Sequence, residues 1–213
     1  MITLDPATDI LCVTDVQPTF MPGGELPVAE GDAIIPTINR LLAETFAHAF
    51  ATQDWHPPDH TSFADSHPGH KAFSAIAMPY GPQTLWPRHA LQGSANAALH
   101  PDLNQARLEM IIRKGFHREI DSYSAFFEND RTTPTGLDGY LRARFFQRIF
   151  FAGLATDYCV AWSAEDAIRL GYTTFIIEDA CRAIALPTTP GQTTLSEAKT
   201  RLTPTRFILS TDL

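Results

Sequence analysis

Residues 148–178 constrain the fold of this chain more tightly than any other stretch. They read RIFFAGL over Arg148–Leu154, then a helical run from Asp157 to Leu170, then TTFIIE over Thr173–Glu178. The two flanking runs are continuously apolar rather than alternating, which fits strands buried on both faces. Gly171 stands just past the helical run, where a left-handed residue without a Cβ ends a helix cheaply. A strand, a helix and a second strand in that order make a right-handed crossover between parallel strands.

The same rhythm runs along the rest of the chain. Thr8–Thr14, His48–Gln53, Glu109–Arg113 and Arg206–Ser210 read as four further strands. After Gly31–Asp32, the residues Ile34, Ile38, Leu41, Leu42 and Phe46 form one apolar helical stripe, with Pro36 tolerable in the first turn. Leu137–Arg144 reads as a helix with Thr135 and Asp138 in capping-box spacing, and Leu195–Leu202 as a short one. Six strands alternating with helices predict an α/β, three-layer, Rossmann-like fold. Its six-stranded sheet is mainly parallel, with helices on both faces. The length of 213 residues suits a single domain, 1–213.

Asp54 to about Pro101 breaks the rhythm. This segment is proline-rich and holds six of the eight histidines: His56, His60, His67, His70, His89 and His100. A connection this long inside a compact domain is usually functional or disordered. Trp55, Phe63, Phe73, Tyr80 and Trp86 favour an ordered one.

Charge and cysteine usage narrow the function. The formal net charge of −8 argues against a nucleic-acid partner, which needs a basic face. MITLDPATD carries no basic region of a secretory signal, and no apolar run approaches the roughly 20 residues of a membrane span. A cytoplasmic protein without a membrane partner is expected. Three cysteines without paired spacing form no disulfide framework, so a reactive thiol is chemically available. Homo-oligomerisation is left open.

Ligands of open parallel sheets bind beyond the carboxyl ends of the strands. Asp15 follows the first strand, Asp54 and His56 the second, Lys114 the third, and the turn leading to Cys159 the fourth. Asp54 and His56 at i and i+2 point the same way off an extended segment. Imidazole with carboxylate suits zinc, iron or manganese; from spacing alone the pattern reads equally as Asp54 capping a turn beside surface-loop histidines. His89 can return as a third ligand, and His60 is a candidate fourth or supporting group. His67, His70 and His100 read as surface residues.

Cys159 falls near the start of a helix, where unpaired N–H groups and the helix dipole lower a thiol pKa and can hold an oxyanion. Asp15 is the candidate base, with Lys114 to tune it. Taken singly, Cys159 reads equally as an inert buried cysteine, whereas Asp15 reads more readily as a turn cap and Lys114 as an ordinary strand-end charge. Cys12, within a strand, reads as filler, and Cys181 does too.

Taken together, "CVTDVQPTF", "ATQDWHPPDHTSF", "LWPRHALQGS", "IRKGF", "DSYSAFF" and "GLATDYCV" resemble the successive blocks of bacterial nicotinamidases, within the isochorismatase-like cysteine hydrolases. They span about residues 10–180 in the family order. The resemblance implies an isochorismatase-like fold with a metal-binding loop insertion at about 54–105. It implies hydrolysis of nicotinamide to nicotinate and ammonia through a cysteine thioester, a step of NAD salvage, with pyrazinamide also accepted.

Residue by residue, it implies a catalytic triad of Asp15, Lys114 and Cys159. Asp54, His56 and His89 match ligands of one divalent metal ion (zinc, iron or manganese), and His60 matches a histidine less consistently a ligand. Phe20 and Trp86 match aromatics that sandwich the pyridine ring. The N–H groups of Ala155 and Cys159 match the oxyanion hole, with a non-proline cis peptide at Leu154–Ala155. Two places depart from the family pattern. Pro18-Thr19 replaces the usual Asn-Asp, and Ala90 replaces a frequent Cys; neither touches a proposed catalytic side chain, and the first is expected to alter the entrance to the site or its substrate range. Relatives acting on ureido or carbamoyl compounds keep the Asp/Lys/Cys set and generally lack the metal pair. A non-catalytic metal-binding protein on the same fold would not need the intact triad. Isochorismate hydrolysis is disfavoured, since those enzymes use no cysteine nucleophile.

Overall fold

The computed structural model describes residues 1–213. Six strands form one sheet: β1 (Asp9–Thr14), β2 (Ala49–Asp54), β5 (Met110–Lys114), β6 (Arg148–Leu154), β7 (Thr173–Arg182) and β8 (Arg206–Ile208). Their spatial order is β5-β2-β1-β6-β7-β8, and every neighbouring pair is parallel. The chain thus runs outward from β1 on one side and from β6 on the other. The direction of winding reverses between β1 and β6, the place where ligands bind in sheets of this kind.

Pleating explains the continuous apolar runs. Leu11 and Val13 of β1, with Phe150, Ala152 and Leu154 of β6, enter a core on one face together with Ile35 and Ile38 of helix α1 (Ile35–Arg40). Ile10 and Cys12, with Ile149 and Phe151, enter the core on the other face. Three helices cover that second face: α2 (Leu137–Ala143), α3 (Ala161–Arg169) and α4 (Thr194–Arg201). Each buried Phe or Ile contributes roughly 1.5–3 kcal/mol relative to exposure. A polar residue on either face of β1 or β6 would forfeit this.

Several elements differ from the sequence reading. The first helix is a 3-10 turn at Gly31–Ile34, then α1, then a wide π-type turn at Leu41–Thr45. The helix expected from Asp157 likewise begins as a wide turn, Thr156–Val160, in which the Val160 N–H reaches back five residues to the Ala155 carbonyl at 3.2 Å. No capping box forms at Thr135. Gly136 caps α2, Thr135 donates to the Ala125 carbonyl, and Asp138 is drawn away by Arg142 and Tyr172. The box is instead at α4, where Thr193 and Ser196 cap each other. The long connection between β2 and β5 is ordered and contains an antiparallel hairpin, β3 (Ala75–Met78) and β4 (Gly81–Thr84), whose short strands carry no distinctive apolar pattern. No helix is long and apolar enough to cross a membrane.

Candidate active site

Close approach of β1 and β6 creates the site. Gly153 lies against β1: a Cβ there would come 2.0 Å from the Thr14 carbonyl oxygen, so only glycine fits. Beyond these strand ends stand Asp15 and the turn carrying Cys159.

Lys114, the last residue of edge strand β5, reaches inward and is fully buried. Its Nζ meets Asp15 Oδ2 at 2.8 Å, Cys159 Sγ at 3.2 Å and the Ser122 carbonyl at 3.2 Å, and it also bonds Asp54 Oδ1. Asp15 is fixed from β2 by Thr52, whose hydroxyl donates to Oδ1 at 2.6 Å and accepts from the Asp15 N–H at 3.1 Å. Asp54 is held by its backbone. Gln17 accepts from its N–H at 2.8 Å and donates to its carbonyl at 2.9 Å. The Gln of "DVQ" is therefore a clamp between β1 and β2, a role the sequence reading did not assign.

The electrostatics follow from burial and the charge count. Burial disfavours a charged Lys114, but Asp15 and Asp54 outweigh it and hold the ammonium well above the usual lysine range. Burial pushes Asp15 upward against the pull of Lys114, with Asp54 adding to the rise. Asp54 is also desolvated, yet Lys114 and the two histidines hold it well below the usual carboxylate range. Burial lifts the Cys159 thiol well above its ordinary value, Lys114 opposing and Asp15 and Asp54 assisting. The resting sulfur is therefore a neutral thiol beside a carboxylate, contrary to a pKa lowered by the helix start alone. Burial also raises Cys12 and Cys181, the latter to about 12, and both sit in the second core as filler.

Asp54 faces two ways. While Oδ1 contacts Lys114, Oδ2 lies 3.7 Å from His56 Nε2 and 3.8 Å from His89 Nε2. Ligand atoms of the three residues all lie within 4.8 Å of one another. His56 Nδ1 donates to the Gly115 carbonyl at 2.8 Å and His89 Nδ1 to the Pro87 carbonyl at 2.8 Å. Those bonds fix the tautomers and leave both Nε2 lone pairs facing the carboxylate, the usual preparation of a metal ligand. Two imidazoles and a carboxylate suit a divalent ion such as zinc, iron or manganese, so this donor set fits the metal the sequence implies.

His60 is placed differently. Its Nδ1 accepts from the Ser62 N–H at 3.1 Å, and its Nε2 faces the Ile120 carbonyl at 3.3 Å. Burial, then the neighbouring His56, pushes it down to about 4, so it is neutral. It groups with His56 and Asp121 rather than with Asp54 and His89. His67, His70 and His100 belong to no ligand group.

Both clusters open onto one cavity, about 350 Å3 counting its mouth, lined by Cys159, Ala155, Asp54 and His89 and walled by Phe20 and Trp86. The Leu154–Ala155 peptide is cis. Tyr123, Tyr158, Leu26, Ile184 and Asp121, none of them marked by a motif of its own, line it as well. Tyr123 lay inside the quoted block "DSYSAFF", and its hydroxyl accepts from Trp86 Nε1 at 3.0 Å. Ile184 carries no local signal. It is brought in by Asp157, which accepts from the Ile184 N–H at 3.1 Å and the Ala185 N–H at 2.8 Å and bonds Thr194. Thr19 and Ala90, from the two departures, meet each other: the Ala90 N–H donates to Thr19 Oγ1 at 3.1 Å. Thr19 is thus buried behind the wall rather than standing at the entrance.

A doubly wound sheet with a thiol, a carboxylate and an ammonium in contact at its switch point has the chemistry of an α/β cysteine hydrolase. The isochorismatase domain model matches residues 9–201, and the chain belongs to that family. Nicotinamidase of Acinetobacter baylyi is 54% identical over 174 residues, 82% of this chain and 81% of that protein. A nicotinamidase/pyrazinamidase structure of Acinetobacter baumanii superposes with a TM-score of 0.92 at 49% identity, covering 98% of this chain and 99% of that one. PnC1 of L. infantum, solved with nicotinate, gives 0.83 at 35% identity, covering 99% and 96%. A pyrazinamidase of Pyrococcus horikoshii, solved with zinc, gives 0.72 at 33% identity, covering 94% and 98%.

Proposed function

We propose that this chain is a nicotinamidase, converting nicotinamide to nicotinate and ammonia, and that pyrazinamide is a second substrate. The carrying observation is that Lys114 joins a buried thiol and its base to a two-histidine carboxylate group on one aromatic-walled cavity. A ureido or carbamoyl substrate would leave Asp54, His56 and His89 without a task. Residues 1–213 form one hydrolase domain in this reading, and about 54–105 its metal-binding insertion.

The reaction starts from the neutral thiol. Lys114 is one cation beside two carboxylates, so a thiolate added to them would be a third anion around one ammonium. Moving the Cys159 proton onto Asp15 keeps the total charge unchanged, and Asp15, raised by burial, is a base suited to accept it. The sulfur then attacks the carboxamide carbon, forming a C–S bond, and the oxygen takes negative charge facing the N–H groups of Ala155 and Cys159. Asp15 returns the proton to the amide nitrogen, the C–N bond breaks and ammonia leaves. Water attacks the thioester with Asp15 as base, releasing nicotinate and restoring the thiol. Asp54, His56 and His89 would hold a divalent ion, which would supply a Lewis-acid seat for the pyridine nitrogen. Phe20 and Trp86 hold the ring between them.

Ammonia release from nicotinamide tests this, with wild type and Cys159→Ala side by side. Turnover by wild type, lost in Cys159→Ala and impaired by a chelator, is expected. No turnover by metal-loaded wild type, or unchanged turnover by the alanine variant, would refute the assignment.

A further inference from the structure

The cavity contains a second carboxylate that the chemistry above does not use. Asp121 is buried, and its two oxygens accept only neutral donors: the Ser122 N–H on Oδ1 at 2.9 Å and Gln83 Nε2 on Oδ2 at 2.8 Å. No lysine, arginine or histidine forms an ion pair with it, whereas Asp15 and Asp54 share Lys114. A buried carboxylate without a cation destabilises a fold, because no opposite charge compensates its lost hydration. Its anchor is built rather than accidental. Gln83 is fully buried on β4 and is itself held by Asn129 and Tyr80, which donate to its Oε1 at 3.1 and 3.2 Å.

The location of Asp121 points to what compensates it. Ligand atoms of Asp121, His56 and His60 lie within 4.8 Å of one another, and His56 also belongs to the Asp54–His56–His89 group. The two ligand groups therefore share one histidine, with Asp54 on one side and Asp121 on the other. The charge of Asp121 is felt nearby: after burial, it is the next cause raising Glu128 to about 7.

We propose that Asp121 is the outer anion of the metal centre, accepting hydrogen bonds from water on the ion that Asp54, His56 and His89 hold. Asp15, Asp54 and Lys114 together leave one negative charge, so Asp121 supplies the second that matches a divalent cation. Gln83 positions Asp121 and also donates to Tyr123 Oη at 2.8 Å, which ties this anion to the aromatic wall. This inference rests on the metal reading above but not on the identity of the amide.

Its test is a titration of zinc, and separately of manganese, into metal-free protein, followed by calorimetry and by melting temperature. Wild type, Asp121→Asn and Glu128→Gln are compared. Asparagine keeps the shape and an acceptor for Ser122. Metal-free Asp121→Asn is expected to melt at or above the wild-type temperature, and to bind the ion about 10–100-fold more weakly, as for other groups that support metal ligands from outside. Glu128→Gln also removes a buried acid but lies in neither ligand group, and its metal affinity should stay within about threefold of wild type. Three results overturn the proposal: unchanged affinity in Asp121→Asn, a lower metal-free melting temperature with an unchanged metal-induced rise, or equal weakening in Glu128→Gln. No metal-induced shift in wild type also overturns it. The cysteine chemistry is then still read independently by ammonia release from nicotinamide.

Discussion

Substituting Gly115 with alanine should separate the metal group from the thiol. Gly115 follows Lys114 and has φ +64, a left-handed conformation that costs an alanine about 1–2 kcal/mol. A Cβ there would lie 2.3 Å from His56 Cε1 and 2.7 Å from Nδ1. An ordinary contact begins at 3.4 Å, so the ring must retreat by about 1 Å (3.4 − 2.3). It has nowhere to go. The ring is buried, with His60 at 4.5 Å, His89 at 4.8 Å and Phe63 at 5.6 Å between centroids. Metal sites tolerate ligand displacements of only about 0.2 Å, and the bond from Nδ1 to the Gly115 carbonyl would break as well. Overpacking of this kind adds roughly 1–3 kcal/mol to the backbone strain.

Gly115→Ala is thus expected to lose about 2–5 kcal/mol in urea unfolding, and at least 10–100-fold in zinc or manganese affinity by equilibrium dialysis. Gly69→Ala is the matched control. It has φ +87 and nothing within 4 Å, so it should lose only the strain and bind metal as wild type does. Wild-type metal affinity in Gly115→Ala would refute the assignment of His56 as a ligand held by this contact.

Further expectations follow from the charges and clamps of the site. Lys114→Met leaves Asp15 and Asp54 buried without a cation, and should cost about 3–5 kcal/mol at pH 8. Part of that loss should return near pH 5 as one carboxyl protonates; equal losses at both pH values in urea unfolding would contradict the charge count. Asp15 must be ionised to take the thiol proton, and burial raises its pKa despite Lys114. The acid limb of kcat/KM should therefore lie above 3.8, with rate falling as pH drops through it; a limb at or below 3.8 would exclude Asp15 as that base. Asp157→Ala frees the Ile184 and Ala185 N–H groups, and should lower stability by about 1–3 kcal/mol while raising KM for nicotinamide more than it lowers kcat. An unchanged KM would remove Ile184 from the substrate wall.

What was legible in the chain follows physical range. The strands β1, β6 and β7 were readable because burial on both faces writes an unbroken apolar run, and Asp15, Lys114 and Cys159 because strand ends in a parallel sheet share one edge. Ile184, Asp121 and Gln83 were not readable. Their places depend on hydrogen bonds across 27 residues, from Asp157 to Ile184, and across 38, from Gln83 to Asp121. No periodicity encodes such contacts. The capping box failed at Thr135 for a related reason: Arg142 and Tyr172 compete for Asp138, and the second of these is set by tertiary packing. The thiol pKa went the other way from a helix-start argument because burial, the first cause of its rise, outweighs a partial charge at a helix end.

Asp54 links the two halves of the site, and this has a measurable consequence for Cys159. Its Oδ1 bonds Lys114 while its Oδ2 faces the two histidines, so its charge bears on both. Asp54 is among the causes that hold the Cys159 thiol high, after burial and alongside Asp15. A divalent ion at Oδ2 would offset that negative charge, leave more of Lys114 for the sulfur, and lower the thiol pKa. Each unit of lowering gives about tenfold more thiolate below the pKa. Metal-loaded protein should therefore be alkylated by iodoacetamide at Cys159 faster than metal-free protein at the same pH, by roughly tenfold for one unit. Peptide mapping identifies the site, with buried Cys12 and Cys181 as internal references. An equal or slower rate in the metal-loaded protein would mean that the Lys114–Asp54 contact carries no charge coupling between the metal group and the nucleophile.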